Sequence, residues 1–254
     1  MSLIWLYSLG SVIIISLISL IGLFTISINR EWLYKIIYFL VALAVGALLG
    51  DVLVHILPEL WVEKGHNLSV SVYIFAGFLI FFVIEKFLRW HHSHGLESEE
   101  SHHHDDVKHV GYMSLISDGV HNLIDGVLIG TSYMISVEIG VATTIAVILH
   151  EIPQEIGDFG LLLHAGFSRR RALFFNFLSA LTAVLGTIIA LLIGTKASGF
   201  AESILPITAG GFLYIAAADL VPELHKVSGP AKSVVQFFGV VAGFAVMVLL
   251  LAVE

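Results

Sequence analysis

The sequence predicts an all-α integral membrane protein, a bundle of eight transmembrane helices that forms a single domain over residues 1–254. Hydrophobic residues make up 57% of the chain and charged residues 13%, whereas charged residues make up about 25% of an average soluble domain. The apolar residues form continuous runs without the alternation of membrane β-strands, and about 20 such residues cross a bilayer as a helix. Most connections between the runs are short.

Each apolar run is expected to be helical because backbone amides in lipid must hydrogen-bond within their own segment. The first run contains no Lys or Arg before Arg30, so we expect a retained membrane helix rather than a secretory signal. The predicted spans are residues 3–28, 33–58, 69–90, 110–135, 138–165, 170–195, 200–223 and 232–253.

The longest connection, residues 91–109, is polar, charged and low in complexity, so a disordered loop is expected there. Tracts rich in histidine bind metal ions loosely, although a merely solvated loop is the alternative. The histidines of this loop are His91, His92, His94, His102, His103, His104 and His109.

The distribution of Lys and Arg predicts the orientation, because these residues are enriched in cytoplasmic loops. Of the 12 Lys and Arg residues, only Lys64 and Lys196 lie away from the loops that follow the first, third, fifth and seventh spans. Both termini are therefore expected outside the cytoplasm and the histidine-rich loop inside it. The compact chain, without a long extracellular domain, favours a prokaryotic plasma (inner) membrane.

The fourth span contains the polar sequence SDGVHNLIDG within an apolar run. Ionisable groups cost several kcal/mol at the centre of a bilayer, so they normally face a partner or a water-filled path. Residues three and four apart share one face of a helix. That spacing stacks Asp118, His121 and Asp125 on one face, with Asn122 beside them.

The fifth span contains the sequence HEIPQEIGD. Pro153 has no N–H group, so a kink is expected there, and the carbonyl it frees is tolerable where it lines a cavity. The polar residues form two neighbouring stripes, one of His150, Gln154 and Asp158 and the other of Glu151 and Glu155.

Two metal-binding arrangements follow if these faces oppose each other. One uses His121, Asp125, His150 and Gln154. The second uses Asn122, Asp125 and Glu151, with or without Gln154. Imidazole combined with carboxylate suits zinc, iron(II) and manganese, and the chain has no cysteine to supply a thiolate. Interhelical hydrogen bonding without any metal is the alternative role for these residues.

The second and seventh spans end in related sequences, GALLGDVLVHILPEL and GGFLYIAAADLVPEL. Transporters often contain repeats related by a pseudo-two-fold axis, so an internal repeat is one interpretation. Asp51 and His55 share a face of the second span, and Asp219 lies in the seventh. These residues are candidates for a polar path, together with Asp118, Glu155 and Asp158.

Three segments resemble motifs of the ZIP family of divalent-metal transporters: HNLIDG at 121–126, HEIPQEIGD at 150–158 and GDVLVHILPE at 50–59. The second is similar to the signature of the LIV-1 branch. The resemblance covers nearly the whole chain. It implies a dimer-capable bundle with a binuclear metal centre between the fourth and fifth spans and an elevator-like motion of those helices. The ligands it implies are His121, Asn122, Asp125, His150, Glu151 and Gln154.

The chain departs from the family pattern at two points. Gln154 stands where the LIV-1 signature most often has a second histidine, and an amide is a weaker, neutral ligand. Some members complete the second site with a glutamate of the sixth span, but here no acidic residue occurs between Asp158 and Glu202.

We predict transport of zinc or a related divalent cation (Fe, Mn or Cd) into the cytoplasm, with the metal as cargo rather than cofactor and with no enzymatic activity. An intramembrane zinc protease is the alternative, since HEIPQ begins like H-E-x-x-H but lacks the second histidine. A passive metal-buffering protein is a third interpretation. The expected partners are divalent metal ions, the bilayer and, as an option, a second copy of the chain; nucleic acid is not expected.

Overall fold

The computed structural model confirms an all-α protein: the residues that it describes contain eight helical segments and no strand. The described residues are 2–25, 30–65, 67–94, 103–194, 199–226 and 229–252.

The helices are numbered α1–α8 in chain order, and four of them contain a local change of helix type or a break. The uninterrupted helices are α3 (Leu68–His94), α4 (His103–Ile135), α5 (Val137–His164) and α8 (Pro230–Leu250). The interrupted helices are α1 (Ser2–Ile18, Ser19–Ile21 and Gly22–Thr25), α2 (Arg30–Gly50, Asp51–Ile56 and Leu57–Lys64), α6 (Arg169–Ala180 and Thr182–Gly194) and α7 (Phe200–Tyr214, Ile215–Leu220 and Val221–His225).

Six of these helices are long and apolar enough to cross a membrane. The other two, α4 and α5, contain the polar residues of the two central motifs. Both pack inside the bundle: α4 contacts α1, α5, α6 and α7, and α5 contacts α1, α2, α4 and α6. Apolar helices therefore cover much of the two helices that could least tolerate contact with lipid.

Reciprocal glycines bring three pairs of helices into backbone contact. A Cβ atom at Gly126 of α4 would lie 1.9 Å from the carbonyl oxygen of Ala183 in α6, and one at Gly186 would lie 2.0 Å from that of Leu123. Small residues allow such close approach between membrane helices. The corresponding glycines are Gly46 and Gly243 between α2 and α8, and Gly77 and Gly210 between α3 and α7.

The two segments of the suggested repeat adopt the same local structure. Each has a six-residue π-helical segment, Asp51–Ile56 in α2 and Ile215–Leu220 in α7, followed immediately by a Pro-Glu-Leu sequence. Proline cannot donate the hydrogen bond that would continue an α-helical ladder, and single π turns are a usual way to absorb such a break. In both, the N–H group preceding the proline bonds five residues back, from Leu57 to Val52 and from Val221 to Ala216.

The structure shortens the predicted histidine-rich loop. Helix α3 continues to His94 and α4 begins at His103, so both ends of the predicted 91–109 loop are helical. Residues 95–102 lie outside the described residues. At the other predicted irregularity, α5 continues as a helix through Pro153.

Candidate metal site

Four side chains from α4 and α5 form what we call the metal cluster: His121, Asp125, His150 and Glu151. Each offers one ligand atom, and these atoms all lie within 4.8 Å of one another. The His150 Nε2 atom lies 3.0 Å from Asp125 Oδ2 and 3.4 Å from His121 Nε2. Glu151 Oε1 lies 3.7 Å from His150 Nε2 and 3.8 Å from His121 Nε2. Two imidazole nitrogens and two carboxylate oxygens therefore converge on one point.

Helix geometry accounts for the convergence. His121 and Asp125 are four residues apart and share a face of α4, and their facing atoms lie 3.6 Å apart. On α5, the Nδ1 atom of His150 lies 3.2 Å from the carbonyl oxygen of Ala146. A backbone carbonyl accepts a hydrogen bond, so a proton on Nδ1 would anchor the ring on α5 and direct Nε2 towards Asp125 Oδ2, 3.0 Å away. This second contact is the usual way in which a metal-binding histidine is oriented.

The metal cluster is buried and rich in acceptors. Asp125 and His150 are fully buried and Glu151 nearly so, whereas the side chain of His121 is 19% exposed. Both Glu151 oxygens and the Asn122 Oδ1 atom are buried and receive no hydrogen bond from any described residue. Burying such acceptors without a partner is costly, and a divalent cation would satisfy them. The donor set fits a metal ion.

The structure brings four of the six predicted ligands together and places the other two, Asn122 and Gln154, beside them. The Asn122 amide nitrogen donates to Asp118 Oδ1 over 2.9 Å. The Gln154 side chain lies beside Asp118 on the wall of the same cavity. The Asn122 amide therefore turns its nitrogen atom towards Asp118, which is itself outside the metal cluster.

Helix α6 contributes partners that the sequence analysis did not identify. Ser179 donates to Asp118 Oδ2, and the Asn176 amide nitrogen donates to Glu155 Oε2. Asp158 accepts a hydrogen bond of 2.9 Å from Ser114 of α4. The available signal was weak, because Ser and Asn are common hydrogen-bonding residues of membrane helices; only their spacing of three residues in an otherwise apolar run could have suggested a shared face.

A cavity of about 710 Å³ opens beside the metal cluster. Its wall includes polar residues of α3, α4, α5 and α7, which come from the ends of α3, α5 and α7 and from the beginning of α4. They are Glu85, Ser114, Ser117, Asp118, His121, Gln154, Asp158, Asp219 and Glu223. The cavity therefore connects the metal cluster with one end of the bundle.

Asp51 and His55 lie elsewhere, in the π-helical segment of α2. Asp51 Oδ2 accepts a hydrogen bond of 3.1 Å from Thr143 of α5, and Asp51 Oδ1 lies 3.7 Å from His55 Nδ1. Both residues are buried and neither lines the cavity. Because successive spans alternate in direction, the end of α2 lies at the opposite face of the bundle from the end of α7.

The bundle is apolar and encloses histidines and carboxylates beside a cavity. These features define a multi-pass membrane protein with a site for a divalent cation. Comparison with known proteins agrees. The family model described as ZIP Zinc transporter matches residues 2–110 and 90–251, and the chain belongs to this family.

Three relatives align over almost the whole chain. This chain is 32% identical to zinc transporter zipt-7.1 of Caenorhabditis briggsae, over 99% of this chain and 80% of the relative. It is 33% identical to metal cation symporter ZIP14 of Xenopus tropicalis, over 97% of this chain and 69% of the relative. It is 29% identical to zinc transporter SLC39A7 of Homo sapiens, over 98% and 71%.

Family membership confirms the predicted class of function. The ZIP proteins are transporters and not enzymes, so the protease alternative is wrong. The predicted all-α, multi-pass membrane architecture is confirmed as well.

Proposed function

We propose that this protein carries zinc, or a related divalent cation such as iron, manganese or cadmium, across its membrane through the metal cluster. The observation that supports this most strongly is the convergence of four buried ligand atoms from two neighbouring helices. Two carboxylates balance the charge of a divalent cation, which offsets the large cost of placing that ion in a low-dielectric interior.

The ligand types favour borderline metal ions. Imidazole nitrogen suits zinc and iron, and carboxylate oxygen also suits manganese. A ligand set without thiolate should bind the ion with moderate affinity. A transporter needs moderate affinity because it must release its cargo. The metal ion is therefore the substrate and not a resident cofactor.

A second cation locus next to the first is part of the proposal. The Asn122 Oδ1 atom and the second oxygen of Glu151 are buried acceptors that receive no hydrogen bond, and Gln154 lies on the adjacent cavity wall. A carboxylate can bridge two cations, so Glu151 would be shared between the loci. The second locus would be mainly an oxygen site.

We propose that transport runs into the cytoplasm. The Lys and Arg distribution predicts that the histidine-rich loop, and with it the beginning of α4, lies in the cytoplasm. The cavity beside Ser114 and Asp158 would then face the cytoplasm, and the contact between Asp51 and Thr143 would lie on the outer side. Uptake would require the opposite ends to open in turn, with Asp118, Glu155, Asp158, Asp219, Asp51 and His55 along or beside the path.

The remaining parts of the proposal concern the setting of the protein. We propose that both termini lie outside the cytoplasm, in agreement with the positive-inside rule. The family resemblance supports a homodimer and an elevator-like movement of α4 and α5. The compactness of the chain is the ground on which we propose placement in a prokaryotic plasma (inner) membrane.

The proposal is tested by zinc uptake into liposomes that contain purified protein. His150→Ala should remove most of the flux, because His150 contributes a central ligand atom. His164→Ala is the matched control, since His164 belongs to the same helix but is exposed at its end, and it should transport normally. Equal zinc uptake by the two variants, at equal amounts of folded protein, would show that the ions do not pass through the metal cluster. Binding without uptake in the unmodified protein would instead support a buffer.

A further inference from the structure

Asp118 is a buried carboxylate whose oxygens are both occupied by neutral donors. Asp118 Oδ1 accepts from the Asn122 amide nitrogen, and Asp118 Oδ2 accepts from Ser179 of α6. The Gln154 side chain lies beside the same carboxylate. One carboxylate of α4 thus accepts hydrogen bonds from side chains of α4 and α6 and has a side chain of α5 next to it.

The chemistry of these groups fixes how the two amides are turned. An ionised carboxylate can only accept hydrogen bonds, whereas an amide has a donor nitrogen and an acceptor oxygen on opposite sides. An amide that faces Asp118 must therefore present nitrogen to it and point oxygen elsewhere, as Asn122 does. The Asn122 Oδ1 atom is indeed buried and receives no hydrogen bond from a described residue.

We propose that Asp118 is a positioning residue that holds the Asn122 and Gln154 carbonyl oxygens towards the passing cation, and that it thereby sets metal selectivity. This inference rests on the proposed function, because it requires a cation between α4 and α5. The Asn122 nitrogen also donates to the Asp118 backbone carbonyl oxygen over 3.2 Å, so the carboxylate is the shorter of two anchors. Without the carboxylate, either amide could rotate more freely about its last bond and present N–H groups, which repel a cation. The amide oxygen atoms that Asp118 would direct towards the cation favour hard ions such as manganese over zinc.

The arrangement depends on α6 as much as on α4. Ser179 stays within reach of Asp118 because α4 and α6 are in backbone contact at Gly126 and Gly186. Thr182 of α6 also donates to the carbonyl oxygen of Gly119, the residue after Asp118. In this arrangement, the role of helix α6 is to hold Asp118, the residue proposed to orient the two amide ligands.

Asp158 provides a matched comparison. It lines the same cavity and is also a carboxylate, but it accepts its hydrogen bond from the Ser114 hydroxyl group and not from an amide. Replacing either aspartate by asparagine removes one carboxylate from the cavity. Only Asp118→Asn should disturb the orientation of the amides.

The experiment measures zinc and manganese binding in detergent, and uptake of both ions into liposomes, for Asp118→Asn and Asp158→Asn. Changes in residues that orient ligands typically lower metal affinity by about 10- to 100-fold. We expect Asp118→Asn to raise the half-saturating manganese concentration about tenfold, with a clearly smaller change for zinc. Asp158→Asn should leave the ratio of the two affinities unchanged. Equal shifts for both metals in Asp118→Asn would overturn the proposal.

A double-mutant cycle distinguishes positioning from direct ligation. In a protein that already contains Asn122→Ala and Gln154→Ala, adding Asp118→Asn should cause no further loss of manganese affinity. A full additional loss would show that Asp118 acts independently of the amides. Should Asp118→Asn fail to fold, Ser179→Ala removes one anchor of Asp118 and should shift the same ratio in the same direction; an unchanged ratio there contradicts the proposal.

The transport site and the positioning role of Asp118 can be rejected separately. Normal zinc uptake by His150→Ala would reject the transport site itself. Loss of uptake in His150→Ala, together with an unchanged metal preference in Asp118→Asn, would reject only the positioning role.

Discussion

At the residue scale, His150 contacts every other member of the metal cluster. Its Nε2 atom lies within 3.7 Å of ligand atoms from His121, Asp125 and Glu151. Its ring is held by the Ala146 carbonyl and lies edge-on to Phe212 of α7, with ring centroids 6.5 Å apart. A ring fixed on both sides presents one nitrogen in one direction, which is the preorganisation that a metal ligand needs.

The glutamine at position 154 gives a prediction at the same scale. Gln154→His should raise zinc affinity, because imidazole nitrogen is a better zinc ligand than amide oxygen. A tenfold gain corresponds to about 1.4 kcal/mol. The half-saturating zinc concentration should fall, and the maximal zinc flux should fall if release is limiting. The affinity for zinc should rise relative to the affinity for manganese. Binding and uptake measured for both metals check this result.

The matched control for that substitution is Gln236→His in α8. Gln236 donates to the backbone carbonyl of Leu224 and does not line the cavity, so this variant should bind and transport both metals as the unmodified protein does. Unchanged affinities and fluxes in Gln154→His would show that residue 154 points away from the ion.

The sequence is informative about some of these side chains and silent about others. The spacing of His121 and Asp125 places them on one face of any helix, so their proximity was predictable. The orientation of the Asn122 and Gln154 amides was not, because it depends on Asp118 and on Ser179 of another helix. Hydrogen bonds between distant segments leave no regular spacing in a sequence.

At the element scale, the contact between α4 and α6 depends on glycine. Gly126→Ala should destabilise the protein, because the added Cβ atom would lie 1.9 Å from the Ala183 carbonyl oxygen and the two helices would have to separate. Overpacking of this kind typically costs about 1–3 kcal/mol. Thermal unfolding in detergent should show a lower midpoint than in the unmodified protein.

Gly157→Ala is the control for that measurement. Gly157 lies on α5 and a Cβ atom there would have no neighbour within 4 Å. Alanine is also the better helix former by roughly 0.5–1 kcal/mol, so the unfolding midpoint should stay the same or rise. A midpoint for Gly126→Ala as high as that for Gly157→Ala would contradict the described contact.

The helices themselves were largely predictable, because apolar runs of membrane-spanning length leave few alternatives. The irregular segments within the helices were less predictable. The effect of Pro58 on the α2 backbone follows from its missing N–H group, but its resolution as a π-helical segment was not predicted. The end of α3 was placed too early because the polar residues up to His94 resemble loop sequence, although they continue the helix.

At the scale of the whole molecule, the metal cluster lies between two different ends of the bundle. On one side the cavity extends to Asp219 and Glu223 of α7. On the other side Asp51 of α2 is hydrogen-bonded to Thr143 of α5. On the proposed function, transport would use a second conformation in which the contact between α5 and α2 opens. The matching π-helical segments of α2 and α7 lie at these two ends.

The central claim is that ions pass through the buried metal cluster and that the histidine-rich loop is not required for passage. The most direct test is radioactive zinc uptake into liposomes by two variants, each compared with the unmodified protein. One carries Asp125→Ala, and the other replaces all the loop histidines with serine. We expect Asp125→Ala to lose most of its flux, because Asp125 is fully buried against His150, and the loop variant to keep its flux. Normal uptake by Asp125→Ala, or loss of uptake in a folded loop variant, would contradict the account.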